Sequence, residues 1–317
     1  MSKDQPNNPL ARVVESQGFV VLDGGLATTL ESYGYDLSDE LWSAKVLLED
    51  PQAVKQVHLD FLHAGADCVA TSSYQASLPG FRKRGLSDSE GERLLRLSVE
   101  LAIEARDAFW DEPTNRLGRV RPLVAASVGP YGAFLADGSE YTGRYGVDDI
   151  ELREFHESRW QILAGSRADL LACETIPSRR EADVLRVLLR ETPARWTWMS
   201  FSCCDGTHLS DGSKLADVAR DCDRDPRVAA VGINCTSPVF ISSLIEEARK
   251  GTAKPIIVYP NRGERYDSET KSWSTPGEVV DWRQAAKEWT QLGAVGVGGC
   301  CRVGPGEIAQ VRKELAD

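Results

Sequence analysis

Short apolar runs alternate along the chain with longer segments of helical periodicity. Eight runs have the length and aliphatic composition of strands: residues 19–22, 67–71, 122–126, 169–173, 197–201, 228–232, 255–258 and 294–297. Helical spacing of apolar residues is found at about 51–63, 88–110, 148–165, 179–191, 214–221, 238–249, 281–291 and 305–315. The predicted strands are apolar throughout rather than alternating, which is typical of parallel strands buried on both faces.

This order of elements predicts an α/β fold. Eight strand and helix alternations over residues 1–317, with no Pro-rich or Ser/Gly-rich linker, favour a single-domain (β/α)8 TIM-like barrel. A doubly wound open sheet is the alternative, but the first strand is not followed by a GxGxxG turn.

Composition narrows the classes of function. The formal net charge is −11, which argues against a nucleic-acid partner. The apolar runs are far shorter than the roughly 20 residues that a membrane helix needs, and the N-terminus lacks the pattern of a secretory signal. We therefore expect a cytoplasmic enzyme with no membrane contact, and a monomer because no long dimerisation arm is evident.

In a barrel of this kind the chemistry lies on the loops that follow the strands. Several of these predicted loops carry thiol groups. Cys235 follows the sixth strand in VGINC, and Cys300 and Cys301 follow the eighth in VGVGGCC. Neighbouring cysteines are too close for a relaxed disulfide, but both can face one ion if the preceding glycines let the backbone bend. Three thiolates with one open position are typical of catalytic zinc.

Other interpretations remain open on these residues alone. A metal-free redox protein or sensor would also use vicinal thiols, a structural zinc module would need a fourth protein ligand, and a phosphate-binding barrel enzyme would fit the architecture. A second pair, Cys203 and Cys204, also follows a strand but has no evident partner thiol. The four histidines are interpreted as structural.

Longer motifs carry a resemblance to a known family. DGGLATTLE, TSSYQAS, SVGPYGAFLADGSEY, GINC and GGCCR occur in this order, and the chain from about residue 9 to 315 resembles the homocysteine S-methyltransferases. The resemblance implies a zinc ion held by Cys235, Cys300 and Cys301, with Asn261 as a candidate fourth ligand when substrate is absent. It also implies methyl transfer to homocysteine, giving methionine, from a sulfonium donor. S-methylmethionine is the first choice, S-adenosylmethionine the second and betaine a distant third.

The resemblance also assigns substrate-binding residues. Asp23 and Glu174 match the acidic residues that hold the homocysteine ammonium, although Asp23 is also a common turn residue and Glu174 also suits a helix start. Donors for the substrate carboxylate are expected at Gly24 and Gly25 or around Ser73, Tyr74 and Gln75. In the loop after the third strand, four residues are expected near a cationic donor: Tyr131, Phe134, Glu140 and Tyr141.

Overall fold

Eight parallel strands form a single sheet in this computed structural model, which describes residues 8–37, 43–263, 266–267, 272–273 and 280–317. The sheet strands are β1 Val20–Val21, β2 Cys68–Ala70, β3 Leu123–Val128, β4 Leu170–Ile176, β5 Thr197–Phe201, β6 Val228–Asn234, β7 Ile256–Tyr259 and β10 Ala294–Val297. Two further strands, β8 Tyr266–Asp267 and β9 Ser272–Trp273, pair with each other as a separate antiparallel ladder. All eight strands predicted from the apolar runs are confirmed.

The sheet closes on itself. Its strand order is β1-β10-β7-β6-β5-β4-β3-β2, and a parallel bridge between Leu22 and Cys68 joins the two ends. Across this junction the amide of Asp67 donates to the Val21 carbonyl at 2.7 Å, and the amide of Asp23 donates to the Cys68 carbonyl at 3.1 Å. The barrel prediction is therefore confirmed, and the open doubly wound sheet is excluded.

Helices cover the outside of the barrel. They are α1 Pro9–Gln17, α2 Leu26–Ser32, α3 Ser43–Glu49, α4 Pro51–Ala64, α5 Leu78–Lys83, α6 Asp88–Asp111, α7 Tyr131–Leu135, α8 Asp149–Ala164, α9 Arg179–Arg190, α10 Leu215–Asp223, α11 Ile241–Arg249, α12 Trp282–Gln291 and α13 Pro305–Ala316. Eight of them match the predicted segments within a few residues. Among the described residues no helix is both long enough and apolar enough to cross a bilayer.

Two layers of side chains make the core. Along each strand, alternate side chains face the helices, and the others fill the barrel interior, where Trp198 is almost fully buried. The Trp198 indole donates to the hydroxyl of Tyr259 at 3.0 Å. Tyr259 is the last residue of β7, so the packed interior ends directly beneath the carboxyl ends of the strands.

Candidate active site

Three cysteine sulfurs converge at the carboxyl end of the barrel. Cys235 follows β6, while Cys300 and Cys301 follow β10, and β7 lies between these strands. The Sγ atom of Cys235 lies 2.7 Å from that of Cys300 and 3.8 Å from that of Cys301. In the part of the chain that the structure describes, this is the one group of three or more Cys, His, Asp or Glu side chains arranged to hold a metal ion.

The cysteine loop is fixed by hydrogen bonds to two neighbouring loops. The amide of Gly299 donates to the Asp23 carbonyl at 3.0 Å, and the amide of Cys300 donates to the Pro260 carbonyl at 2.8 Å. Cys235 itself adopts a left-handed backbone with φ of 47°. Such a conformation is strained for a residue with a side chain, so the surrounding structure must hold it in place.

The glycine pair before the cysteines provides space. A Cβ added to Gly299 would lie 2.1 Å from the Cγ1 atom of Val303, and one added to Gly298 would lie 2.6 Å from the Cβ atom of Leu22. Neither glycine has a positive φ. The sequence predicts that these glycines give the backbone freedom to bend, but close approach to Val303 and Leu22 is the physical reason for them.

The donor set fits a soft metal ion. Zinc–thiolate bonds of about 2.3 Å place two sulfurs of a tetrahedral site about 3.8 Å apart. The separation of Cys235 and Cys301 matches this value, whereas Cys235 and Cys300, at 2.7 Å, would have to move apart to bind the ion together. The three cysteines are free thiols. Hydrogen bonds, first from Cys235 and then from Cys301, hold the pKa of Cys300 well below its usual value. The cluster can therefore hold a metal ion.

Asn261 lies beside the cluster but outside the cavity lining. Its side chain is buried, and its Oδ1 atom has no hydrogen-bond partner among the described residues. Its amide donates to the Thr236 carbonyl at 3.1 Å, while the next amide, of Arg262, donates to the Cys301 carbonyl at 3.1 Å. The side-chain oxygen of Asn261, which has no partner among the described residues, thus lies on the residue before Arg262, whose amide contacts the cysteine loop.

Two carboxylates share the cavity with the thiols, Glu174 buried and Asp23 partly buried. Oδ2 of Asp23 accepts from the amide of Ala70 at 2.8 Å, and Oε1 of Glu174 accepts from the Ser127 hydroxyl. Burial is the main cause that raises the pKa of both groups, that of Glu174 to about 7, and the charge of Glu174 raises the pKa of Asp23 further. A cation bound between them would restore both to the ionised form.

The cavity has a volume of about 420 Å³ and a strongly acidic lining. No Lys, Arg or His is among its described lining residues. Five residues with carboxylate side chains line it: Asp23, Glu31, Asp36, Glu140 and Glu174. Four tyrosines also line it: Tyr35, Tyr74, Tyr141 and Tyr259. An acidic and aromatic cavity favours cationic ligands.

The structure brings most of the predicted substrate residues to this cavity. Gly24, Gly25, Tyr74 and Gln75 line it together with Asp23 and Glu174. Ser73 does not: it is fully buried, its hydroxyl donates to the Ser127 carbonyl at 2.7 Å, and the neighbouring Ser72 lines the cavity instead.

The four residues expected near a cationic donor separate into two groups. Glu140 and Tyr141 line the cavity, whereas Tyr131 and Phe134 pack outside it in a small apolar cluster with Phe155. The Tyr131 and Phe155 rings meet edge to face at 4.8 Å between centroids. Their placement in this cluster is the reason that Tyr131 and Phe134 are not available to the cavity.

Sequence reasoning missed several residues of the lining. Thr28 and Glu31 lie on α2, which the periodicity did not predict, and Tyr35 and Asp36 follow it. Tyr259 had a usable signal, since it is the last residue of the seventh apolar run. The second cysteine pair is elsewhere: Cys204 is exposed, and its thiol donates to the Leu209 carbonyl at 3.2 Å.

Comparisons with known proteins show the family of the chain. The homocysteine S-methyltransferase family model matches residues 20–315. The chain is 51% identical to homocysteine S-methyltransferase YbgG of Bacillus subtilis over 96% of both chains. It is 46% identical to a selenocysteine Se-methyltransferase of Brassica oleracea var. italica over 95% of this chain and 90% of that protein.

A solved structure gives the same result. The metallated form of the Escherichia coli homocysteine methyltransferase MmuM matches with a TM-score of 0.86 and 41% identity, covering 96% of this chain and 99% of that one. These similarities do not favour a metal-free redox protein. From the shared barrel, its cysteine cluster and the extent of these matches, the chain belongs to the homocysteine S-methyltransferase family and is an S-methyltransferase.

Proposed function

We propose that the protein transfers a methyl group from a sulfonium donor to the thiol of homocysteine, giving methionine, with zinc as its cofactor. The observation that carries this proposal is the convergence of three cysteine sulfurs on a cavity that also holds the carboxylates of Asp23 and Glu174. The names of the relatives support homocysteine as the acceptor. A cytoplasmic monomer is part of the same proposal.

Cys235, Cys300 and Cys301 would hold the zinc ion. Asn261 is proposed as the fourth ligand when substrate is absent, because its Oδ1 atom is buried without a partner among the described residues. When bound, zinc supplies the Lewis acidity that keeps a coordinating thiol deprotonated near neutral pH.

Asp23 and Glu174 are proposed to bind the ammonium group of homocysteine. Burial raises the pKa of both carboxyl groups, so a bound ammonium would offset the cost of two nearby negative charges. The amide of Gly25 donates to the Val303 carbonyl at 2.8 Å. Gly24 and the Tyr74–Gln75 segment are therefore the remaining predicted donors for the substrate carboxylate.

The reaction needs no proton transfer at the methyl group. The electron pair of the acceptor thiolate forms the new S–CH3 bond, and the old S–CH3 bond breaks with its pair returning to the donor sulfur. The sulfonium thereby leaves as a neutral thioether. The protein binds the two sulfurs in line and keeps water out, which the buried part of the cavity lining around Cys235 and Cys301 favours. S-methylmethionine, the smaller sulfonium, is the proposed donor, ahead of S-adenosylmethionine.

The first test compares metal content with turnover. We expect about one zinc per chain in the purified protein and methionine formation from homocysteine with a sulfonium donor, and we expect Cys300→Ala to lose both. Cys204→Ala is the matched control, since that exposed thiol lies outside the cluster. Metal analysis and a methionine assay give the two readings. Full turnover in protein stripped of metal would contradict the mechanism.

A second test addresses the ammonium site. Glu174→Gln retains an acceptor for the Ser127 hydroxyl but removes the charge. We expect it to raise the KM for homocysteine by about tenfold or more, because hydrogen bonds to charged groups contribute roughly 1.5–3 kcal/mol. Zinc content should remain at the wild-type level. An unchanged KM would assign the ammonium to another residue.

A further inference from the structure

Glu140 carries a carboxylate oxygen that no described residue satisfies by a hydrogen bond. The residue lies in the 3-10 turn Ser139–Tyr141 and lines the same cavity as the three thiols. Its Oε2 atom is buried without a hydrogen-bond partner among the described residues. Burial raises its pKa to about 7, although the backbone amides of Glu140 and Gly138 lower it in part. An unpaired carboxylate at the wall of a ligand cavity favours a cationic ligand.

The turn that carries Glu140 is held firmly in place. A Cβ added to Gly132, in α7, would lie 2.3 Å from the amide nitrogen of Glu140, so the two backbones are in direct contact. The hydroxyl of Ser202 donates to the Glu140 carbonyl at 3.3 Å, and the amide of Gly143 donates to the Ser139 carbonyl at 2.8 Å. The carboxylate is therefore positioned before any ligand arrives.

Two tyrosines line the same cavity as Glu140. Tyr74 and Tyr141 both line it, and a Cβ added to Gly129 would lie 2.7 Å from the Tyr74 ring, which shows how closely that ring is packed. Tyr141 lines the same cavity as Cys235 and Cys301. Burial is the main cause that raises the pKa of Tyr141, and the charges of these two cysteines raise it further. Aromatic rings attract cations that have been removed from water.

Glu140 is distinct from the carboxylates assigned to the acceptor. Asp23 follows β1 and Glu174 lies near the end of β4, whereas Glu140 is on the segment after β3. Partial burial raises the pKa of a further carboxylate of the lining, Glu31, and the charge of Arg302 offsets this rise only in part. The described lining contains no basic side chain that could neutralise Glu140. The cavity thus offers a second cation site beside the proposed ammonium site.

We propose that Glu140, with the rings of Tyr74 and Tyr141, forms the subsite for the positively charged sulfonium of the methyl donor. This rests on the proposed function, in which the donor is a sulfonium and the acceptor a thiolate. The same arrangement distinguishes substrate from product. When the S–CH3 bond breaks and its electron pair returns to the donor sulfur, the ligand becomes a neutral thioether, and the attraction of Glu140 for it is lost.

The test measures binding of two ligands that differ in this charge. S-methylmethionine and 2-amino-5-methylhexanoic acid have the same shape and the same amino-acid head, but a CH group replaces the sulfonium in the second. Calorimetric titration of the zinc-loaded protein should show tighter binding of the sulfonium. Glu140→Gln should weaken binding of the sulfonium by about tenfold or more and that of the carbon analogue less than twofold.

Asp137→Asn provides the matched control. It removes a negative charge from the same loop at an exposed position and keeps the oxygen that accepts from the Ser139 amide at 2.9 Å. We expect it to retain the preference for the sulfonium, because the charge of Asp137 raises the pKa of Glu140 and its removal leaves Glu140 at least as ionised as in the wild type. Zinc content and melting temperature establish that each variant is folded. If Glu140→Gln fails this check, Tyr141→Leu, compared with Tyr141→Phe, should show the same selective loss.

The outcomes separate this inference from the proposed function. If the wild type forms methionine from S-methylmethionine but folded Glu140→Gln keeps the full preference for the sulfonium, the subsite is wrong and the proposed function stands. If the zinc-loaded wild type neither binds the sulfonium nor forms methionine, the proposed function fails and this inference fails with it. A selective loss in Glu140→Gln, with Asp137→Asn unchanged, supports the subsite.

Discussion

At the scale of single residues, Cys235 has a backbone conformation that is unfavourable for any residue other than glycine, although its thiol is part of the metal-binding cluster. A left-handed φ of 47° suits glycine, and a residue with a Cβ pays roughly 1–2 kcal/mol there. The thiol is therefore kept at a position where glycine would be more stable. This opposition between conformation and ligand identity is typical of functional sites.

Two substitutions at Cys235 separate these effects. Cys235→Ala and Cys235→Gly both remove the sulfur, so both should lose bound metal. In metal-free protein, however, we expect Cys235→Gly to have a higher free energy of unfolding than Cys235→Ala by about 1 kcal/mol, because only glycine adopts this backbone without strain. Urea denaturation in the presence of a chelator measures the difference. Equal stability, or a more stable alanine variant, would mean that position 235 relaxes out of the left-handed region.

The sequence was sufficient to predict which thiols form the cluster, but not the backbone geometry that holds them. Cysteines after two apolar strand-like runs are visible in VGINC and VGVGGCC, and their location in a barrel follows from strand order. The left-handed backbone of Cys235 and the contact of Gly299 with Val303 depend on loops distant in sequence. No local pattern predicts such contacts, because they arise only when the barrel closes.

At the scale of elements, strand prediction succeeded because burial on both faces leaves a continuous apolar run. Helix prediction failed for short elements. α2 contains the sequence LATTLES, whose threonines obscure the periodicity, and α7 has only five residues. Because α2 brings Thr28 and Glu31 to the cavity, the failure to predict this helix is also the reason that these lining residues were missed.

Helix α4 contains a buried imidazole with a consequence for acid stability. His58 is almost fully buried, neither ring nitrogen has a partner among the described residues, and burial lowers its pKa to about 4. The unfolded chain takes up this proton near pH 6.5. Between these values the unfolded state binds more protons, so the free energy of unfolding falls as the pH falls, by up to about 3 kcal/mol.

His58→Leu tests this expectation. The variant should lose less stability than the wild type between pH 6.5 and pH 4, as measured by urea denaturation of metal-free protein at several pH values. His63→Leu, on the exposed side of the same helix, controls for the loss of an imidazole. An identical pH dependence in the wild type and His58→Leu would show that the ring is satisfied in the folded protein.

At the scale of the whole molecule, the barrel joins parts of the chain that are far apart in sequence. Cys235 and Cys300 are separated by 65 residues, yet their sulfurs are in contact. A metal ion bound by both would therefore stabilise the folded state relative to an unfolded chain in which the site does not exist.

Metal removal should consequently lower the melting temperature. We expect a chelator to lower the Tm of the wild-type protein by several degrees, because a ligand in large excess over its Kd stabilises the folded state by roughly 3–4 kcal/mol. Differential scanning calorimetry with and without chelator provides the measurement. Cys300→Ala, which lacks the complete cluster, should show little change. A chelator effect of equal size in this variant would locate the metal elsewhere.

The closure between β1 and β2 has a consequence for how the barrel fluctuates. Only a few hydrogen bonds span it, and one of them joins the Ala70 amide to the Asp23 carboxylate. The Asp23 carboxylate, which is proposed to bind the ammonium of the acceptor, thus also helps to hold β1 and β2 together. Occupancy by the amino acid should slow amide hydrogen exchange at residues 68–70, and the barrel should open there less often while it holds its substrate.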